Sequence, residues 1–571
     1  MLFNIDKNKG LMILKAVMAL FFVLTPTVTG IIPMRVAVYA VFAIFASLLL
    51  IRIKSTGKVH FSIYHALMLG LLIYSLIASF WAGNREGHLI YIFALATVVL
   101  LFECTFDYFS VDSTESIRRR MMYMLNISGT LCAVLNIFYW IVCMVPFAQK
   151  SGFSQGFGNN HYLAIFMSVC IALTLVLYKD SIKSRRRIFV LQIICMLFVF
   201  VMAKSFIALM FALILAVLYI CFMKLNKRFV MFSLLCAGVF AVIVGLFSFS
   251  GHRADAFCDV FSYASKHLFG AGGGFRSGKA IFDIRSYGKD ISVGLLGHMF
   301  ASSGIIGAIF CVAVSARVVM NFCRVKTWES LAGILLTVLV MILPSDLNFA
   351  MILMWALLCA YNEYSAGLYL KRNLKNESVV KTLYALSILV VIAVMLVVQS
   401  LMRVSAAVKF ESKDYFSAAV LYKTSAAINF ADSESCRMAA TSLRMGKDAE
   451  SWRDEAISLI DRAIKRDVYN LDNLVEKARM YYASGDYELS AQQYRIATGM
   501  AAVKDKYNLS LAKVLYKIVE KSPRGSSETK RAYEELTEIG AQTENLDTRK
   551  EINDIADKAL VFTKGELTDE R

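Results

Sequence analysis

The sequence predicts an all-α protein: a polytopic membrane domain of about 12–13 helical spans followed by a C-terminal α-solenoid. Three observations predict it. Of 571 residues, 58% are hydrophobic and 18% charged, with 40 Phe and 26 Met to bury, whereas soluble chains carry about 25% charged residues. Only 5 residues are Pro, so long helices run without a residue that lacks the amide and clashes with the preceding turn. Near residue 401 the pattern changes from apolar runs of membrane length to amphipathic helices with recurring small residues. This composition excludes a soluble secreted chain, a disulfide mini-protein and a disordered chain.

A helix needs about 20 apolar residues to cross the hydrocarbon core. Thirteen segments qualify, near 11–29, 35–51, 63–81, 88–105, 122–146, 161–178, 188–203, 205–223, 229–249, 293–321, 328–345, 347–362 and 381–401. The first lacks a small-residue cleavage site and another span follows at once, so it reads as a span and not a cleaved leader.

Charge then orients the spans. The chain carries a net +18, yet the residues from 401 onward hold 27 Lys and Arg against 28 Asp and Glu, leaving 34 against 15 in the first 400. The basic excess lies wholly in the apolar part, which implies topology signals and an anionic substrate, with no nucleic acid. Alternate loops are basic: Lys7 and Lys9; Arg52, Lys54 and Lys58; Arg118 to Arg120; Lys183 and Arg185 to Arg187; Lys224, Lys227 and Arg228; Arg317, Arg324 and Lys326; Lys371, Arg372 and Lys375. The positive-inside rule places these in the cytoplasm. The N-terminus is then cytoplasmic and, with an odd number of spans, the C-terminal domain is extracytoplasmic. The expected setting is a multi-pass protein of the cytoplasmic membrane. One external loop, about 250–290, breaks the pattern with Arg253, Lys266, Arg276, Lys279, Arg285 and Lys289. Topology does not require those charges, so function is the expected cause.

The expected organisation is a membrane domain over 1–401, a repeat domain over 402–520 and a polar helical tail over 521–571. Gly485-Asp486-Tyr487, Ser490-Ala491, Tyr494 and Ala497 have the spacing of a tetratricopeptide repeat, with small residues where paired helices touch. Lys413-Asp414-Tyr415, Ala418-Ala419 and Tyr422 repeat the frame, and Ala456, Ile460 and Ala463 form a middle copy. Ala418, Ala456 and Ser490 stand 38 and 34 residues apart. A generic array of helical hairpins fits the same pattern. Either presents a concave surface for partners.

Candidate chemistry concentrates in the external segments. In Leu268-Phe-Gly-Ala-Gly-Gly-Gly-Phe-Arg276, glycines including Gly272, Gly273 and Gly274 free backbone amides to converge on an anion such as a diphosphate, or simply loosen the loop. Arg276 and Arg285 follow, with planar guanidinium groups that grip phosphate oxygens in pairs; Arg253 precedes them. Lys204 lies at the outer end of a span, as a snorkelling anchor or a substrate cation. Asn160 and His161 open another span, where an Asn also serves as a helix cap. Asp290, His298 and Asp346 are the candidate proton acceptors. The 12 Cys show no CxxC and no zinc spacing with His, so neither a metal nor a disulfide framework is expected.

In order, Gly158-Asn-Asn-His161, Lys204-Ser205, Leu268-Phe-Gly-Ala-Gly-Gly-Gly and Gly304-Ile-Ile-Gly307 resemble the O-antigen ligase and O-antigen polymerase family of bacterial envelope glycosyltransferases. The resemblance covers about residues 1–365 and is strongest over 156–310. It implies transfer of a glycan from an undecaprenyl-diphosphate carrier to an acceptor sugar hydroxyl, without metal or nucleotide and with no cofactor beyond the lipid-linked donor. It implies that external basic residues such as Arg276 and Arg285 hold the diphosphate; with Asp290 and His298 as candidate bases they are the expected catalytic residues. It implies substrate contacts from Lys204, Arg253, Gly272, Gly273, Gly274, Asn160, His161 and Asp346. Ligases carry a His-Asn or His-Ser pair where this chain has Val293, which favours a polymerase or another acceptor. The expected partners are the bilayer, the lipid-linked oligosaccharide and, through the repeats, polysaccharide-assembly proteins. Two other classes remain: a transporter or flippase of lipid-linked oligosaccharide, which calls for ionisable groups near mid-membrane, and a non-enzymatic membrane scaffold.

Overall fold

The computed structural model of the chain describes residues 16, 34–109, 114–144, 160–179, 181–205, 208–213, 215, 267–272, 294–325, 327, 333–338, 341, 349–446, 452–468, 470–501 and 504–563. Among these the chain is helical apart from one two-stranded sheet. It divides into two compact units: Met1–Ala78, Ile90–Gly270 and Ser292–Val397 form the first, and Ser79–Leu89, Ala271–Ile291 and Val398–Arg571 the second.

The first unit is built on α1 (Met34–Thr56), α2 (Ile63–Ala78), α3 (Arg85–Phe109), α4 (Thr114–Met144), α5 (Asn160–Lys179), α6 (Lys183–Met202), α7 (Gly294–Val325), α8 (Phe349–Ser365) and α9 (Asn376–Glu411), the last entering the second unit. Nine predicted spans fall on these nine helices in order. The segments 11–29, 205–223, 229–249 and 328–345 lie wholly or mostly outside the described residues. Among the described residues, six helical stretches are long and apolar enough to cross a membrane: Arg35–Thr56, Arg85–Phe106, Arg118–Phe138, His161–Lys179, Met299–Val325 and Asn376–Glu411. In the last, only 22% of the most apolar window is buried, with Tyr384, Ile388, Val391 and Val398 exposed. Apolar faces of this breadth are compatible with a multi-pass membrane protein.

The sheet is absent from the sequence reading. Gly57, at φ +62°, ends α1 in the left-handed conformation, its amide donating to the Ile53 carbonyl at 2.8 Å. The chain then extends as β1 (Lys58–Ser62), which pairs antiparallel with β2 (Tyr369–Asn373), His60 opposite Lys371. Two five-residue strands joined across some 300 residues leave no periodic signal. The sheet ties the end of α1 and the start of α2 to the end of α8 and the start of α9. Predicted cytoplasmic loops, with Lys58 in one and Lys371 and Arg372 in the other, thus meet at one end of the unit.

Close helix packing relies on small residues. A Cβ at Gly129 of α4 would lie 2.6 Å from Cys170 Cβ of α5 and 2.9 Å from Met196 Sδ of α6. α7 is broken at Gly304 (φ +58°, ψ −139°), a conformation that a side chain makes costly.

In the second unit, α10 (Tyr415–Ile428), α11 (Ser433–Gly446), α12 (Trp452–Arg466), α13 (Leu471–Ala483), α14 (Tyr487–Met500), α15 (Asp505–Lys521), α16 (Ser527–Gln542) and α17 (Leu546–Thr563) follow the end of α9, each packing on the next. Ala418, Ala456 and Ser490, the small residues in register, are fully buried. Gly485 and Lys413, which share a place in the repeat frame, both turn with positive φ, +84° and +65°. Asp414, Asn470 and Ser526 cap α10, α13 and α16 through the amides of Ser417, Asp472 and Thr529. One apolar core joins Ala406 to Met480 and a second joins Leu471 to Ala559, so the helices past residue 521 share the core of those before it.

Candidate functional site

Two motifs 44 residues apart converge at the start of α5 and the end of α6. His161 Nδ1 and Ser205 Oγ lie 2.8 Å apart in a shared hydrogen bond. Local structure explains the placement. After α6, the amides of Ala203 and Lys204 donate to Val199 and Val201 carbonyls, closing the helix. Ser205 Oγ accepts the Ala208 amide at 3.1 Å and its carbonyl accepts the Leu209 amide at 3.0 Å, which starts the next helical turn. The turn between them is one residue, Lys204, at φ +49° with its side chain exposed. Glycine would adopt this conformation at no steric cost, while an L side chain gives up about 1–2 kcal/mol. Lys204 thus precedes, in the chain, the hydroxyl of an imidazole–hydroxyl pair. An ammonium group can hold an anion, and such a pair can orient a hydroxyl. Asn160 is the first residue of α5.

The Gly-rich segment is used, in its described part, for close approach. A Cβ at Gly270 (φ +70°) would lie 2.5 Å from the Ser302 carbonyl, and one at Gly304 would lie 1.9 Å from the Leu268 carbonyl oxygen. The Leu268 carbonyl accepts the Ile305 amide at 3.0 Å, satisfying a donor freed where α7 breaks. Tyr74 of α2 donates its hydroxyl to the Phe269 carbonyl. Gly272 (φ +85°) is buried against Ala82, 2.6 Å from where its Cβ would be, with His88 Nδ1 at 3.5 Å. The segment is therefore a fitted wedge over 268–272. Gly273, Gly274, Arg253, Arg276, Arg285, Asp290 and Asp346 lie outside the described residues. His298 belongs to the first part of α7, ahead of the Gly304 break.

Two buried charge clusters escaped the sequence reading. Glu103 of α3 accepts Arg52 Nη1 at 2.5 Å and the His60 amide at 2.8 Å, with His65 Nε2 at 3.5 Å. His65 Nδ1 accepts the Ser62 amide at 3.2 Å, and Phe106 and Tyr369 pack on the His60 ring. Glu363 of α8 accepts Arg317 Nε at 3.1 Å and Nη2 at 2.7 Å, and Asn321 Nδ2 at 2.6 Å. Arg52 and Arg317, counted from sequence as cytoplasmic loop charges, are thus buried ion-pair partners. The signal that could have found them is a single carboxylate, Glu103 or Glu363, inside an otherwise apolar run.

Among the described residues, no group of three or more His, Cys, Asp or Glu could hold a metal ion. No protein-family model matches the chain, and no curated protein sequence matches it.

Proposed function

We propose that the chain is an integral-membrane glycosyltransferase that builds an envelope polysaccharide, moving glycan from an undecaprenyl-diphosphate carrier to an acceptor sugar hydroxyl on the outer side of the cytoplasmic membrane. The observation that carries this reading is Lys204, held at positive φ one residue before Ser205 of the His161–Ser205 pair. Diphosphate departure develops negative charge, and a preorganised cation stabilises it more than mobile water does. Lys204 supplies one charge; Arg253, Arg276 and Arg285 of the basic external loop supply the rest. His161 orients the acceptor, and a carboxylate or imidazole, Asp290, His298 or Asp346, takes its proton. The C-terminal helices form a tetratricopeptide-like solenoid on the same side, which binds partners or glycan. A transporter reading is less favoured because the buried ion pairs found here gather near helix ends beside the sheet, and each carboxylate is already satisfied by internal donors.

The test is polymer formation by reconstituted protein from a lipid-diphosphate oligosaccharide. Lys204→Gly relieves the turn, so it should raise thermal stability slightly while lowering transfer. Losing one charge-assisted contact of about 1.5–3 kcal/mol slows the reaction roughly ten- to hundredfold. The Arg276→Ala/Arg285→Ala protein should lose at least as much. Near-wild-type polymer from both variants refutes the site, and no polymer from wild type with authentic donor refutes the activity.

A further inference from the structure

The connection between α2 and α3 does more than turn the chain. Within the second unit, Asn84 forms an antiparallel bridge with Asp467, and the Val468 amide donates to the Gly83 carbonyl at 3.2 Å. Arg403 Nη1 donates to Glu86 Oε1 and to Asp432 Oδ1, each at 3.2 Å, with Glu434 4.0 Å from Nη2. Asp432 is itself fixed by Gln399 Nε2 at 2.6 Å and the Ser435 amide at 2.9 Å. Ala82, Asn84, Glu86 and His88 are all buried. A buried carboxylate persists only where a partner is built for it, and here Arg403 near the end of α9 is that partner, while the α12–α13 turn holds Gly83 and Asn84 through the backbone. The Gly87 amide bonds Asn84 Oδ1 at 2.8 Å, and His88 Nε2 bonds Ser79 Oγ at 3.1 Å, so the connection is internally stiff. Its other face carries Ala82, against which Gly272 packs too closely for any side chain.

We propose that Arg403 is a positioning residue: by gripping Glu86 it locks the 79–89 connection onto the repeat helices, and that connection sets the position of the Gly-rich segment at Gly272. The repeat helices then hold Gly272 through a mechanical link, besides any partner they bind. The catalytic consequence rests on the proposed glycan transfer, whereas the link itself does not.

Hydrogen exchange on the full-length protein in nanodiscs, read by mass spectrometry, tests the link without any assay of activity. Arg403→Gln should raise exchange at least tenfold over 79–89 and at 271–272, while α4–α6 stay unchanged. Should that variant fold poorly because Asp432 loses its cationic partner, Glu86→Ala breaks the same contact and leaves Arg403–Asp432 intact. Unchanged exchange over 79–89 in both variants overturns the clamp. Faster exchange over 79–89 with none at 271–272 overturns the coupling to Gly272. Transfer kinetics decide the positioning role: KM for the lipid-diphosphate donor should rise about tenfold, with kcat changed less than threefold. Loosened segments with an unmoved KM overturn that role. A wild-type protein without transfer sinks the proposed function, and exchange still decides the clamp.

Discussion

Glu363→Gln puts the Arg317 cluster to a quantitative test. Glu363 is fully buried, Arg317 is 6% exposed and Asn321 is buried, so water cannot replace a lost partner. In the native pair both guanidinium donors, Nε and Nη2, find a carboxylate oxygen, and Asn321 Nδ2 adds a third bond at 2.6 Å. Glutamine keeps the shape but removes the charge and sets an NH2 group against one of these donors. An uncompensated buried guanidinium remains, and breaking a buried pair from one side costs about 3–5 kcal/mol. For a chain of this length that lowers Tm by about 3–4 °C. Replacing both members, Arg317→Leu with Glu363→Leu, removes both desolvation penalties and leaves Asn321 without its acceptor, a loss of about 1–3 kcal/mol. The double variant should therefore be more stable than Glu363→Gln. The assay is heating in detergent followed by fluorescence-detected size exclusion. A Glu363→Gln protein melting within 2 °C of wild type, or a double variant melting below the single one, would refute the reasoning.

Two further predictions concern turns. Gly304→Ala sets a Cβ 1.9 Å from the Leu268 carbonyl at a strained φ of +58°; a backbone strain of about 1–3 kcal/mol plus the clash should sharply cut the yield of monodisperse protein, and a normal yield with unchanged Tm would disprove the wedge. At Asp414, hydrogen bonds from the Ser417 side chain and amide, and then Lys409, hold the carboxyl below the usual aspartate range. A depressed folded pKa stabilises the fold above the unfolded value, and that stabilisation is lost as pH falls through the folded one. The stability gap between wild type and Asp414→Ala should thus be full above about pH 4 and shrink below it; a gap that stays constant down to pH 2 would remove the charge from the explanation.

Much of the architecture was legible because its signal is local. Runs of apolar residues with few charges make helices of membrane length wherever they occur, and nine predicted spans coincide with α1–α9. The change near residue 401 and the recurrence of Ala418, Ala456 and Ser490 likewise arise from spacing along one chain, and all three residues are buried where helices meet. The candidate site was legible in parts only. The sequence offers Lys204-Ser205 and His161 as separate features; the meeting of Ser205 with His161 depends on α5 and α6 packing side by side and on Ser205 capping the next turn.

What the sequence by itself determined, then, is which segments are helical, which are apolar enough for lipid and where small residues permit contact, since propensity and hydropathy act over a few turns. Only the tertiary structure decided which charges face water. Arg52 and Arg317 read as loop cations, yet each meets a carboxylate 51 or 46 residues away in a dry interior. The sheet between 58–62 and 369–373 and the grip of Arg403 on Glu86, 317 residues apart, were decided in the same way. Ion pairs and strand ladders are bonds between specific partners, and their strength depends on burial that other helices create. No local window of sequence contains that information.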